Sequence, residues 1–422
     1  MSRIATSTIN QRGIDGILNN QTELSKVQKQ MSTGKRVVTP ADDPVAATQM
    51  LNLDKNIRLT EQYQSNVNYA KNRLATTDQT LDSVGNLLQR VRELGVRANT
   101  ASLDTADRKA IAAEVESRLE ELVGLANTKD GSGEYLFAGS KGSTKPFTYS
   151  PTAGYEYNGD QRERSIKIGP EFNVQQTDRG DRIFMDIERG NGSFVTDYDE
   201  GNTGSGSIKN AEIADSSNLT NHEYTIDIVG PSTGNPDDPN EVRVYDEDTD
   251  TYVIGAAAGT PPPPPASGQP YEEDSPITFD GISLTLDGEP AVGDQFTVEP
   301  SRSGSVFDTI DRMVQTLKRD WSGDEARAEA GMEMRTALQE LGNARDNILE
   351  VRAELGARIN SVESQEYVND AYTLQMEETL SGIQDLDYAK ASGELNLRMV
   401  GLQAAQQVYT KVQGLSLFNF IQ

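Results

Sequence analysis

From residue 45 to residue 100 the chain reads VAATQMLNLDKNIRLTEQYQSNVNYAKNRLATTDQTLDSVGNLLQRVRELGVRANT. Apolar residues return at steps of three and four through Met50, Leu53, Ile57, Val67, Leu74, Leu81, Val84, Leu88, Val91 and Ala98, the spacing that lines up side chains on one face of a helix. At 1.5 Å per residue this single helix is on the order of 80 Å long. A rod of that length needs a neighbour along its apolar face. Gln64, Lys71 and Asp78 interrupt the face, and the short step from Leu81 to Val84 reads as a stammer. Such a face suits a packed bundle better than an isolated dimer. The helix starts at Asp43 and Pro44, an N-cap followed by a proline at the first helical position. Asp42 and Asp43 also invite a metal reading, but sequence neighbours point apart and a hard cation needs several converging oxygens.

Outward from this rod, Ala101-Ser-Leu-Asp reads as a turn, and a second helix is expected from Asp104 to Asn127, capped by Asp104 and burying Ile111, Val115, Leu119, Leu122 and Leu125. The C-terminal flank repeats the style, with helices expected at 305–318, 324–362 and 369–413. The last carries a seam of Ile383, Leu386, Ala389, Gly393, Leu397, Val400, Ala404, Val408, Val412 and Leu415, whose small members favour close helix packing. Ahead of the rod, Ile4, Ile9, Ile14, Ile17, Leu24 and Met31 form a seam too sparse to hold a free helix. The residues expected to pack terminal helices in an assembly are Ile4, Ile9, Ile17, Leu24, Met31, Leu397, Val400, Ala404, Val408, Val412 and Leu415.

Between the flanks the period changes. Fifteen of the seventeen prolines lie from Pro146 to Pro300, so the flanks are almost free of the strongest helix breaker. Tyr224–Val229, Glu241–Tyr245, Thr251–Ile254 and Ile282–Leu286 alternate as half-buried strands. Segments 155–160, 165–169 and 181–186 read as a smaller β unit. Pro261 to Pro265 reads as an exposed polyproline loop. The fold class is therefore α+β and multidomain: a long-helix coiled-coil bundle built from both termini with an inserted β-rich domain. The boundaries drawn are an axial segment at 1–42, disordered in the monomer; a helical half at 43–134; a β-rich region at 135–304, divided into 135–200 and 205–304; a second helical half at 305–380; and an axial helix at 381–422.

Net charge is −27, and the segment 130–304 holds 32 acids against 11 Lys and Arg. No basic stripe exists to neutralise phosphates, which argues against nucleic-acid binding. Cysteine is absent, removing disulfides, thiolate metal sites and Cys nucleophiles. One histidine, His222, leaves no material for a catalytic triad and reads as a locally hydrogen-bonded residue. Asp246-Glu-Asp-Thr-Asp resembles a calcium loop but lacks the glycine and distant glutamate of an EF-hand, so it reads as a solvated acidic turn. Neither an enzyme nor a cofactor is expected. The N-terminus has no apolar segment of the length a Sec signal needs, and no run is long enough to span a bilayer.

Arg3-Ile-Ala-Thr-Ser and the run from Leu24 through Gly34-Lys-Arg-Val-Val-Thr-Pro-Ala-Asp-Asp-Pro-Val to Ala47 resemble the N-terminal signature of the bacterial flagellin family. Ala126-Asn-Thr-Lys-Asp-Gly-Ser-Gly-Glu-Tyr-Leu-Phe-Ala-Gly-Ser and the ending from Leu402 to Phe420 are more similar to the hook-associated, junction-forming members than to filament flagellins. The resemblance implies a structural subunit set between hook-associated protein 1 and the flagellin filament, forming a ring with its own copies; a filament flagellin is the alternative. It further implies export through the flagellar type III apparatus without a cleaved signal, a cytoplasmic export chaperone on the C-terminal seam, an extracellular location, and terminal segments that become helical on assembly.

Overall fold

The computed structural model describes residues 6–100, 103–233, 235–255 and 268–418, with side chains described at residue 8 and from residue 11 to residue 411 of these. Its helices are α1 (Thr6–Thr33), α2 (Pro44–Ala98), α3 (Thr105–Ala126), α4 (Gly180–Phe184), α5 (Val306–Lys318), α6 (Asp324–Gln384) and α7 (Tyr388–Phe418). The chain divides into two compact units, residues 1–68, 167–172 and 363–422, and residues 69–166 and 173–362. Among the described residues no helix is long and apolar enough to cross a membrane.

The rod of the sequence is α2, and it begins where the cap places it, with Asp43 Oδ1 accepting from the Ala46 amide at 3.0 Å. Its buried face runs through Ile57, Thr60, Val67, Ala70, Leu74, Thr77, Leu81, Val84, Leu88, Val91 and Ala98. The step from Leu81 to Val84 is therefore in phase, because Ala70 and Thr77 occupy the intervening positions, and there is no stammer. Gln64, Lys71 and Asp78 sit half-buried at the margin of the face, where Asp78 receives Arg352 at 2.9 Å.

In the first unit, the residue after α1, Gly34, takes a positive φ of 71°, which ends the helix at no steric cost. The following loop is tied to the end of α6: the Arg36 amide donates to Gln384 O at 2.7 Å and Leu386 N to Gly34 O at 2.9 Å, while the Arg36 guanidinium donates twice to Ile383 O. The helices expected at 324–362 and 369–413 are instead split at 385–387. Nothing between Val362 and Asn369 breaks a helix, and a new N-cap arises at Asp387, whose side chain accepts from Ala389 and Lys390 at 3.0 and 3.1 Å.

In the second unit α3 starts after its cap, Asp104, which accepts from the Asp107 amide at 2.7 Å. It buries Arg108, Ala112, Val115, Leu119, Leu122 and Ala126, with Ile111 and Leu125 only half-buried, so the stripe is rotated from the one expected. Segment 181–186, read as strand, overlaps α4. Ile183 and Phe184 are both buried, and a strand would send them to opposite faces. Phe184 must stand inward, its ring 5.3 Å from those of Phe137 and Phe147 and 5.7 Å from Phe307.

The β insertion consists of antiparallel sheets. One holds, in order, Thr251–Ile254, Glu241–Asp246, Tyr224–Val229, Gln295–Pro300 and Phe194–Tyr198, with Gln269–Pro270 paired to Glu241–Asp246. Another holds Pro276–Phe279, Ile282–Asp287 and Ser207–Ile213. Alternation aims Tyr224, Ile226, Ile228, Leu284, Leu286 and Phe296 into one core with Met332 of α6. The strand Phe194–Tyr198, placed by sequence in the earlier β segment, pairs residue by residue with Gln295–Pro300. Residues 261–265 lie outside the described residues.

Candidate functional site

A structural subunit works through the surfaces it leaves uncovered, so the terminal helices come first. α1 and α7 run antiparallel. Tyr388 Oη donates to Met31 O at 3.3 Å, Arg398 lies 3.9 Å from Glu23, and a Cβ on Gly13 would meet the Tyr409 ring at 3.0 Å. The α7 face toward α1 contains Ala391, buried, and Leu395, Arg398, Leu402, Ala405 and Tyr409, half-buried, at alternating steps of four and three. This stripe was not singled out from sequence. Its only signal there is the same 3.6-residue period, one or two positions out of phase.

The stripe that was singled out faces solvent. Leu397, Val400 and Val408 are 72%, 65% and 60% exposed, and Ala404 is exposed beside them. The chain's own N-terminal helix is already engaged on the other stripe. On α1, Ile17, Leu24 and Met31 are half-buried and Val27 is buried. Ile4 lies outside the described residues, as do the side chains of Ile9, Val412 and Leu415.

The Ala126–Ser140 motif folds around an arginine that sequence reading passed over. Arg73 is 3% exposed. It pairs with Asp130 and donates to Gln176 O at 2.9 Å and Tyr135 O at 3.2 Å. Asp130 in turn accepts from Ser132 N, Ser132 Oγ and Glu134 N. Burial alone would push the Asp130 carboxyl up, but these bonds and the charge of Arg73 hold it below the usual range. The loop therefore presents Leu136, Phe137 and Ala138, all buried, to the aromatic cluster of α4 and α5.

His222 and the acidic turn, two separate readings in sequence, meet in the fold. His222 Nδ1 lies 2.8 Å from Asp246 Oδ2. Asp246 Oδ1 accepts from the amides of Asp248 and Thr249 at 3.0 and 3.1 Å, and Asp248 accepts from Glu223 N at 2.9 Å. The ligand atoms of His222, Asp246 and Asp248 lie within 4.8 Å of one another, and the hydrogen bonds of the turn account for that convergence.

The Asp246 hydrogen bond raises the His222 pKa. Asp246 is held low by His222 and the turn amides against its burial. A raised histidine contributes stability that is full below its unfolded value of about 6.5 and is lost as pH rises through the folded value. The lowered aspartate contributes above its unfolded value of about 3.9 and loses this as pH falls. The pair therefore stabilises most at mildly acidic pH. Urea midpoints measured from pH 6 to 9 should fall more steeply in the parent than in His222→Asn, and equal slopes would remove the pair as a contributor.

Residues 4–142 match the bacterial flagellin N-terminal helical region and residues 338–421 the bacterial flagellin C-terminal helical region. The chain is 26% identical over 418 residues to flagellar hook-associated protein 3 of Escherichia coli strain K12, covering 99% of each. Its fold matches the flagellar junction protein FlgL of Legionella pneumophila with a TM-score of 0.70 at 30% identity, over 80% of this chain and all of that one. Phase 1 flagellin of Salmonella naestved matches only 114 residues, 27% of this chain and 23% of that protein. Agreement that runs from the terminal helices through the β insertion, where flagellin agrees with only a fraction of either chain, places this chain in the hook-associated protein 3 (FlgL) family of flagellar proteins.

Proposed function

We infer that the chain is a structural subunit of the bacterial flagellum at the hook-filament junction, held in the axial structure through its terminal helices. The observation that carries this reading is the open stripe Leu397, Val400, Ala404 and Val408, which stands free on a helix whose other face is held by α1. An exposed apolar stripe at helical spacing is a docking face, and in a ring of identical subunits the neighbouring copy supplies the cover. Hook-associated protein 1 on one side and flagellin on the other complete the set of neighbours, and the β insertion faces outward. The subunit works mechanically, with no chemistry and no cofactor. Deleting its gene should leave hooks that grow no filament while flagellin is shed into the medium, and expressing the chain from a plasmid should restore filaments. Wild-type filaments in the deletion strain would refute the junction role.

The same stripe needs cover before assembly, since apolar surface left open in the cytoplasm invites aggregation. A small export chaperone on α7, followed by passage through the flagellar type III apparatus to the extracellular junction, meets that need. Truncation after Ser392 should abolish capture of the chaperone in pull-downs from a flagellated strain. Undiminished capture would put its site elsewhere.

A further inference from the structure

We propose that a groove in the second unit, between the first turns of α3 and α6 and the segments 205–207 and 287–288, is a binding site for a small oxyanion, with Arg108 as its charged anchor. Arg108 is only 5% exposed. Its guanidinium carbon lies 4.3 Å above the centre of the Trp321 ring, and the guanidinium makes no hydrogen bond or ion pair with any described residue, its Nε being buried without a partner. The contrast within the same unit is plain. Arg73 is buried on Asp130, and Arg358 meets Asp178 at 2.6 Å. A guanidinium carries five donors and a permanent charge, so burying one without an anion is strongly unfavourable, and the face of an indole offsets only part of that.

The groove has a volume of about 470 Å³ and is lined, besides Arg108, by Trp321, Arg327, Gly331 and Arg335. Arg335 donates to Ser207 Oγ at 2.8 Å and Ile208 O at 2.9 Å, while its Nε is also buried without a partner. Gly331 borders the groove, and a Cβ there would stand in ordinary contact with Arg335 Nη1 at 3.7 Å and Asn99 Oδ1 at 3.8 Å, so a longer side chain at this position would reach into the space. The carboxylates that line the groove have partners among its other lining residues. Asp324 holds Arg327 at 3.2 Å, Asp287 accepts from Ser207 Oγ at 2.6 Å, and Glu273 faces the Gly288 amide at 3.4 Å. What the groove lacks is an acceptor for Arg108. A carboxylate or phosphate supplies oxygens in the geometry a guanidinium fork takes up.

Trp321 is the chain's single tryptophan, so its fluorescence reports on this site alone. The full chain would be titrated with sodium phosphate against sodium chloride at matched ionic strength, following Trp321 emission and Tm. Phosphate should give a saturable emission change and a higher Tm that chloride does not. Both should vanish in Arg108→Met, which keeps the stack but not the charge, and in Gly331→Leu, which fills the groove and keeps Arg108. Without phosphate, Arg108→Met should melt no lower than the parent, because it removes an unpaired charge. If emission also shifts with protein concentration and phosphate reverses the shift, the natural oxyanion is a carboxylate of a second copy; if concentration has no effect, it is a free anion. No difference between phosphate and chloride, or a phosphate response that survives in both variants, would overturn the assignment.

Discussion

Ala404→Glu should leave the purified subunit as stable as its parent and yet abolish filament growth. Ala404 is exposed in the single chain, between Val400 and Val408 on the open stripe of α7, so a glutamate there meets only water before assembly. Against a neighbouring helix the same carboxylate is buried without a partner, at a cost on the order of several kcal/mol per subunit. Every copy in a ring repeats the fault, and the effect is close to all-or-none. The adjacent substitution Ala405→Glu serves as the contrast. Ala405 is half-buried on the stripe that faces α1, so its glutamate should lower the stability of the first unit in the free subunit as well. The measurements are melting curves of the two secreted proteins, and motility with electron microscopy of the strains. Swimming and normal filaments in Ala404→Glu would mean that this stripe stays in solvent after assembly, and the docking face would have to lie elsewhere.

Arg73→Met should destabilise the second unit by about 3–5 kcal/mol, the range for removing one partner of a buried ion pair. Methionine fills most of the space but leaves the Asp130 carboxylate without its cation, and leaves Gln176 O and Tyr135 O without their donor. The loop 128–138 should loosen first, because Arg73 is its link to α2. Asp130→Asn should cost less, since an amide can still accept from the amides of Ser132 and Glu134. Adding Asp130→Asn to Arg73→Met should recover part of the loss, the coupling expected of residues in one network. Urea unfolding of the four proteins measures this, and a loss below about 1 kcal/mol for Arg73→Met would reduce the pair to the rank of a surface ion pair.

The features legible in sequence are those whose causes lie within a few residues. The caps at Asp43 and Asp104 needed only an acid ahead of a helical period. The strand Tyr224–Val229 was found because one buried face forces an alternation of period two, and α2 because its apolar period persists for many turns. The resemblance to flagellins rests on the same helical ends, and the fold class follows from these pieces and their order.

Tertiary structure decided the rest. A period of 3.6 says that α7 has an apolar face, but two stripes one or two residues apart, Leu397–Val400–Ala404–Val408 and Ala391–Leu395–Leu402–Ala405, satisfy it nearly as well. Only the position of α1 separates the face buried within the chain from the one left open. Segment 181–186 looked like a strand because its surroundings, Phe137, Phe147 and Phe307, are brought by three distant parts of the chain. The buried polar groups were the least visible. Arg73 meets Asp130 across 57 positions. Glu340, 1% exposed, accepts from Thr309, Arg189 and Arg312 on other elements. His222 reaches Asp246 across 24 positions. Local sequence sets which dihedrals and which periodicity a segment prefers, whereas a charge becomes tolerable inside a protein only when folding brings its partner to it, and that partner can stand anywhere in the chain.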